Sequence, residues 1–282
     1  MKKRVLKNEF LQLEYLTTSL RITGLSIAGR PNLLADLSHT SPTPTPYGDY
    51  HFIGGHRLWH APEAMPRSYI PDSEVSITDL PDGVILEGKT EPGTGIRKRI
   101  ELHLAADKPS VTLIHTLFND GLWPAELAPW AITQFRLGGT VIMPMPVGNT
   151  DPAGLLHNRQ ISLWPYTRIN DPRVKWGDNF VLFKADALPP FKVGYFNPHG
   201  WLAYWLDGVL FRKTFDAHAN FPYPDNNCNT EMYCGDQFVE LESLAPLGIL
   251  APGAKVNHTE TWEIFDGLDS LPEEVRQVII SS

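Results

Sequence analysis

Only two cysteines, Cys228 and Cys234, occur in 282 residues. Two thiols make no disulfide framework and, alone, no zinc site, so a reducing, cytoplasmic setting is expected. Long apolar runs are missing too: none approaches the ~20 residues that span a bilayer. The start, Met1-Lys2-Lys3-Arg4, is basic, but Asn8, Glu9 and Glu14 break up the next stretch, so no signal-peptide core forms. Positive charge is in deficit, with 24 Lys and Arg against 32 Asp and Glu, a formal charge of −8. A surface of that sign repels phosphate backbones, which disfavours nucleic acid as a partner. Uninterrupted helix is scarce as well, because 25 evenly spread prolines each remove a donor and clash with the preceding turn. There is no Ser-His-Asp order, no Gly-x-Ser-x-Gly elbow, and no Walker or dinucleotide glycine motif.

What remains is a chain of ordinary composition, 42% hydrophobic and 20% charged, expected to fold as one domain over residues 1–282. Strands show through alternation and turn punctuation. Ser110-Val-Thr-Leu-Ile-His-Thr-Leu-Phe118 is a β-rich run stopped by Asn119-Asp120-Gly121. Trp201–Leu206 and Val209–Phe215 flank Asp207-Gly208, the signature of a type I′ hairpin. Further strands are expected near 10–16, 19–25, 74–79, 84–89, 96–104, 131–143, 180–186, 191–196, 237–250 and 256–265. Ser41-Pro-Thr-Pro-Thr-Pro46 reads as an extended loop. The one expected helix is short and C-terminal: Ser270-Leu-Pro-Glu273 forms a capping box ahead of Glu274–Ile280. Many short strands with almost no helix point to an all-β sandwich.

Two segments concentrate chemistry. In Gly54-Gly-His-Arg-Leu-Trp-His-Ala-Pro-Glu63, His56 and His60 share a face at a spacing that suits strand or helix. With Glu63 they could ligate a metal, but Arg57 stands where a zincin has Glu, and the flanking Gly and Pro oppose the required helix. The favoured reading has no metal: the glycines let backbone approach a ligand while His, Arg57 and Trp59 meet its hydroxyls and ring. The second segment is Asn226-Asn-Cys-Asn-Thr-Glu231-Met-Tyr233, followed by Glu240-Leu-Glu242. Glu240 and Glu242 face one side of a strand. Such an acidic face is commonly a solvated outer face; projecting into a cleft, it supplies the general base that sugar chemistry requires. Eight tryptophans, Trp164 and Trp176 among them, could wall such a cleft or fill the core.

The stretch Phe238–Phe265, with Glu242, Leu250-Ala-Pro-Gly253 and Glu260-Thr261, resembles the C-terminal end of aldose 1-epimerases (galactose mutarotases). Gly54-Gly55 falls where that family has a His-Gly-Gly turn, and Val111–Asn119 resembles the strand before its second histidine. The strings Gly54–Glu63 and Asn229–Tyr233 resemble an uncharacterised branch of the superfamily. The resemblance implies a galactose mutarotase-like β-supersandwich whose concave face binds a small-molecule carbohydrate. It implies cofactor-free acid/base isomerisation by a monomer or homodimer away from membranes. Glu242 falls at the catalytic base. The family's histidines are missing: Ile53 precedes Gly54, and the segment matching the second reads Glu126-Leu-Ala-Pro-Trp130-Ala-Ile-Thr133. His56 is therefore the expected substitute acid. Arg57, His60, Lys192 and Glu231 are expected to bind hydroxyls, with Trp59 or Trp130 stacking on the sugar. A non-catalytic sugar-binding protein on the same fold is the second expectation, and chemistry on an anionic sugar, met by Arg57, Lys192 and Arg168, the third.

Overall fold

The strand Val239–Leu244 shows how this chain builds its layers. Val239 and Leu241 pack into the main apolar core, while the intervening Glu240 and Glu242 point the other way. The same period-2 alternation runs through two large antiparallel sheets in a computed structural model that describes residues 2–27 and 29–270. The first sheet runs Lys3–Lys7, Leu11–Leu16, Ile22–Ile27, His56–Ala61, Ala125–Phe135, Val239–Leu244, Thr230–Cys234, Phe191–Tyr195 and Ile161–Leu163, with Gly248–Leu250 paired onto Ala125–Phe135. The second runs Val174–Trp176, Phe180–Lys184, Thr140–Pro144, Trp201–Leu206, Val209–Phe215, Lys255–Phe265, Ser110–Asn119, Ile96–Leu104, Gly83–Gly88 and Val75–Asp79. One continuous core joins them, with Leu58, Phe135 and Leu241 from the first sheet and Leu113, Phe211 and Trp262 from the second.

The Asp207-Gly208 hairpin forms as expected, with positive φ at both residues (52° and 80°). The run 131–143 is two strands in different sheets. Gly138, at φ 105°, and Gly139, whose added Cβ would lie 2.3 Å from the Trp205 carbonyl, let the chain cross between layers. The run 237–250 likewise divides at Ala245-Pro246. Ser41–Pro46 is not only a loop: Thr43–Thr45 pairs with Gly48–Tyr50 as a small hairpin. Among the described residues helix is confined to the turns Arg67–Tyr69 and Pro224–Asn227, and no helix is long and apolar enough to cross a membrane. The helix expected over Glu274–Ile280 lies outside the described residues.

Candidate functional site

Strand register brings the polar residues of five strands into rows on the face of the first sheet that points away from the core. Arg57 pairs with Ile132, Ile132 with Glu242, Glu242 with Glu231, and Glu231 with Gly194. The adjacent row is Gln134, Glu240, Tyr233 and Lys192. On the other side stand Trp59, Trp130 and Leu244. Above them lies a cavity of about 430 Å³. Arg57, Glu240 and Lys192 border it, together with the rings of Trp59, Trp130, Trp164, Tyr69, Tyr166 and Tyr233.

Two ion clusters hold its charged groups. Glu240 Oε1 accepts from Arg57 Nη2 (3.1 Å) and Gln134 Nε2 (2.9 Å). Burial pushes the Glu240 carboxyl up to about 7; Arg57 opposes that rise and the neighbouring Glu242 adds to it. The Arg57 guanidinium lies 4.3 Å from the Trp59 ring centre, in cation–π contact. The second cluster surrounds Lys192 Nζ, 2.7 Å from Glu231 Oε2 and 3.1 Å from Glu242 Oε2. Burial alone would lower the Lys192 ammonium, but these carboxyls outweigh it and hold it well above its ordinary value. Burial raises the Glu231 carboxyl well above the carboxylate range, against the pull of Lys192. Lys192 Nζ also sits over the rings of Trp130 (4.9 Å) and Trp164 (4.6 Å).

The expected site residues therefore divide. Arg57, Trp59, Trp130 and Lys192 meet at the cavity wall. Glu242 and Glu231 are fully buried behind Lys192, and Glu242 Oε2 also accepts from Trp130 Nε1 (2.8 Å). Of the strand carboxyls, the one that borders the cavity is Glu240, expected to share the side of Glu242. His56 does not reach the cavity. It pairs with Thr133, one residue out of phase with the row of Arg57 and Glu242, and so faces the core. There its Nδ1 bonds Thr133 Oγ1 (2.9 Å) and its Nε2 bonds His115 Nε2 (2.8 Å). His60, in phase with His56, is buried against Glu91 at 3.4 Å. Burial lowers both imidazoles, which keeps them neutral. Neither histidine stands across a ligand from Glu242, because strand alternation sends them to the opposite face.

Gly54 and Gly55 serve the backbone rather than a ligand. At φ 89° and 71°, their added Cβ atoms would lie 2.2 Å from the Ala35 carbonyl oxygen and 2.0 Å from that of Ile22. Glu63 stands at the cavity rim, hydrogen-bonded by the Tyr69 hydroxyl and apart from His56. A different trio, His56, His115 and Glu260, brings its ligand atoms within 4.8 Å of one another. Those atoms are already engaged. Glu260 accepts from Lys213 Nζ (2.8 Å) and Trp262 Nε1 (2.8 Å), and the two imidazoles bond each other. A lysine ammonium in place of a cation makes this a closed hydrogen-bond network rather than a metal centre.

No family model matches the chain, and no curated protein matches it. Solved structures do. A galactose mutarotase-like protein from Lactobacillus casei is similar over 94% of this chain and 100% of its own, at 10% identity and a TM-score of 0.55. A candidate aldose 1-epimerase from Klebsiella pneumoniae covers 97% of this chain and 80% of its own (11% identity, TM-score 0.61). One from Escherichia coli covers 94% and 99% (14%, 0.53). The chain has the galactose mutarotase-like β-sandwich fold. Identities this low establish the fold and leave the chemistry to the site.

Proposed function

We propose that this protein is a carbohydrate-active enzyme of the aldose 1-epimerase type, acting in the cytoplasm on an uncharged free or modified sugar. The observation that carries this reading is the Glu240–Arg57 pair opening on a cavity walled by tryptophan and tyrosine rings. Aromatic faces stack on the apolar face of a pyranose, and a carboxyl near 7 takes or gives a proton at neutral pH. In this reading the Glu240 carboxylate accepts the anomeric hydroxyl proton and delivers it to the ring oxygen as the ring C–O bond breaks, while the Lys192 ammonium, held by Glu231 and Glu242, donates a hydrogen bond to that oxygen. The chain rotates about C1–C2, and reclosure runs the same transfer in reverse. Glu242 thus serves by positioning Lys192, and His56 has no part in the proton transfers. The two free, buried thiols suit a reducing compartment.

Polarimetry or NMR exchange on a panel of free aldoses tests the proposal. Glu240→Gln, which can still accept from Arg57, should lower the rate about two to four orders of magnitude. A wild-type protein that leaves every anomeric equilibration unchanged would overturn the enzymatic reading. A non-catalytic carbohydrate-binding protein is the second reading, favoured by one observation: among the described residues no histidine borders the cavity. It predicts saturable sugar binding that survives Glu240→Gln without turnover. An anionic substrate is less well served, because Arg57 and Lys192 already face Glu240, Glu231 and Glu242.

A further inference from the structure

A second cavity, of about 420 Å³, opens at the other end of the strand pair that flanks the first. In that pair, Ile161 lies opposite Tyr195 and Leu163 opposite Val193. Trp164 and Lys192, at one end, border the first cavity, whereas Gln160 and Phe196, at the other, border the second. Alternation through 192, 194 and 196 turns Phe196 toward the face that carries Lys192. Its ring centre lies 5.6 Å from that of Tyr223, and both belong with Trp59 and Trp130 to one aromatic cluster. Both cavities therefore lie along the same face of the strand pair, on either side of the turn at 225–228, which covers Gly194 and Ser162. From Lys192 to Phe196 the chain advances four residues, about 13 Å at ~3.3 Å each.

The two linings differ in chemistry. Five side-chain amides border the second cavity: Asn149, Asn158, Gln160, Asn226 and Asn227. Among the described residues no acidic side chain borders it, although the chain as a whole carries −8. Asn158 Nδ2 is committed to the Gly148 carbonyl, and Asn227 Oδ1 accepts from the Tyr223 N–H. Arg159, also at the border, is held by the carbonyls of Pro146 (3.0 Å) and Asp178 (2.9 Å). Asn226 and Asn227 sit in the left-handed region, at φ 60° and 70°, a conformation that costs energy in residues other than glycine and recurs where function holds it. An amide offers a donor and an acceptor side by side, which matches neighbouring sugar hydroxyls, and Phe196 supplies an apolar face for the ring.

We propose that this cavity is a second saccharide subsite, so that the protein takes an uncharged oligosaccharide with its terminal unit in the first cavity and a later unit against the amides. The proposal rests on the carbohydrate reading of the first cavity. Linings whose strand residues Lys192 and Phe196 are about 13 Å apart along the backbone call for linked rings rather than one ring to engage both.

The test is calorimetric titration with ladders of one to five units in the gluco-, galacto- and manno-series, using the wild type and the double variant Gln160→Ala/Asn226→Gly. Glycine keeps the left-handed backbone at 226 while removing the amide. Affinity should rise about ten- to a hundredfold between the monosaccharide and the trimer or tetramer of one series. The double variant should lose that rise and keep the monosaccharide affinity. Equal affinity along every ladder, or a rise that survives the double variant, would overturn the second subsite while leaving the first intact. Binding of no member of any ladder would overturn both.

Discussion

His56 and Arg57 are neighbours in the chain and lie on opposite faces of one strand, in polar surroundings of opposite kinds. On the core side, His56, His115, His258, Lys213, Ser243 and Glu260 are all buried and hydrogen-bonded to one another or to backbone. On the concave side, Arg57 Nε and Glu242 Oε1 are buried without a hydrogen-bond partner among the described residues, and Glu240 borders an open cavity. A closed network specifies packing; an incomplete one beside a cavity is available to a ligand. Titratable groups in quantity thus do not mark the site. Capacity left over beside a cavity does.

The comparison can be broken most forcefully from the core side. Lys213→Met strands the Glu260 carboxylate, which is fully buried and which Lys213, despite the cost of burial, holds far below its ordinary pKa. Removing one partner of a buried pair costs about 3–5 kcal/mol, measurable by urea denaturation. His56→Leu, which leaves Thr133 and His115 each short of a partner, should cost about 1–3 kcal/mol.

The same variant sharpens the comparison through pH. Burial, with His115 beside it, holds the folded His56 well below 6.5, so below pH 6.5 the unfolded chain binds more protons at this residue than the folded one. Its contribution to stability is full above 6.5 and falls as the medium acidifies, by up to about 1.4 kcal/mol per pH unit. Carboxyl contributions largely cancel between wild type and variant. Their stability gap should therefore narrow as pH falls from 7 to 5; a gap independent of pH would contradict the buried neutral imidazole. At the small end, Lys89→Ala breaks an ion pair whose side chains are 68% and 82% exposed, and should leave the denaturation midpoint unmoved.

Much of this was readable in the sequence. Alternation marked residues 110–118, one residue short of the observed strand, and the two strands around Asp207-Gly208, because each strand has one buried face and a turn with its own residue signature. It also set Glu240 and Glu242 together and Leu241 in the core. Alternation did not tell which face of His56–Ala61 meets the cavity, since both faces of this strand are buried and both carry polar groups. Pooling His56 with Arg57 therefore joined residues that a one-residue phase difference separates. Leu58, which lies between the two histidines and belongs to the core, was the available signal. Nor could spacing show that Lys192 covers Glu242, because that burial depends on the Phe191–Tyr195 strand, 50 residues away. Tyr233 and Gln134 were missed for the same reason: their role comes from register between strands. Tyr69 reaches the cavity from the helical turn Arg67–Tyr69, which no pattern in the sequence points to.

The most direct test of the concave-face account is the rate of anomeric exchange, by NMR on a responsive aldose, in Glu240→Gln and His56→Leu side by side. Both are measured per folded molecule, well below the midpoint of the less stable one. The account predicts a loss of about two to four orders of magnitude for Glu240→Gln and a wild-type rate for His56→Leu. A His56→Leu protein that folds and has lost exchange, beside a Glu240→Gln protein that retains it, would contradict the account.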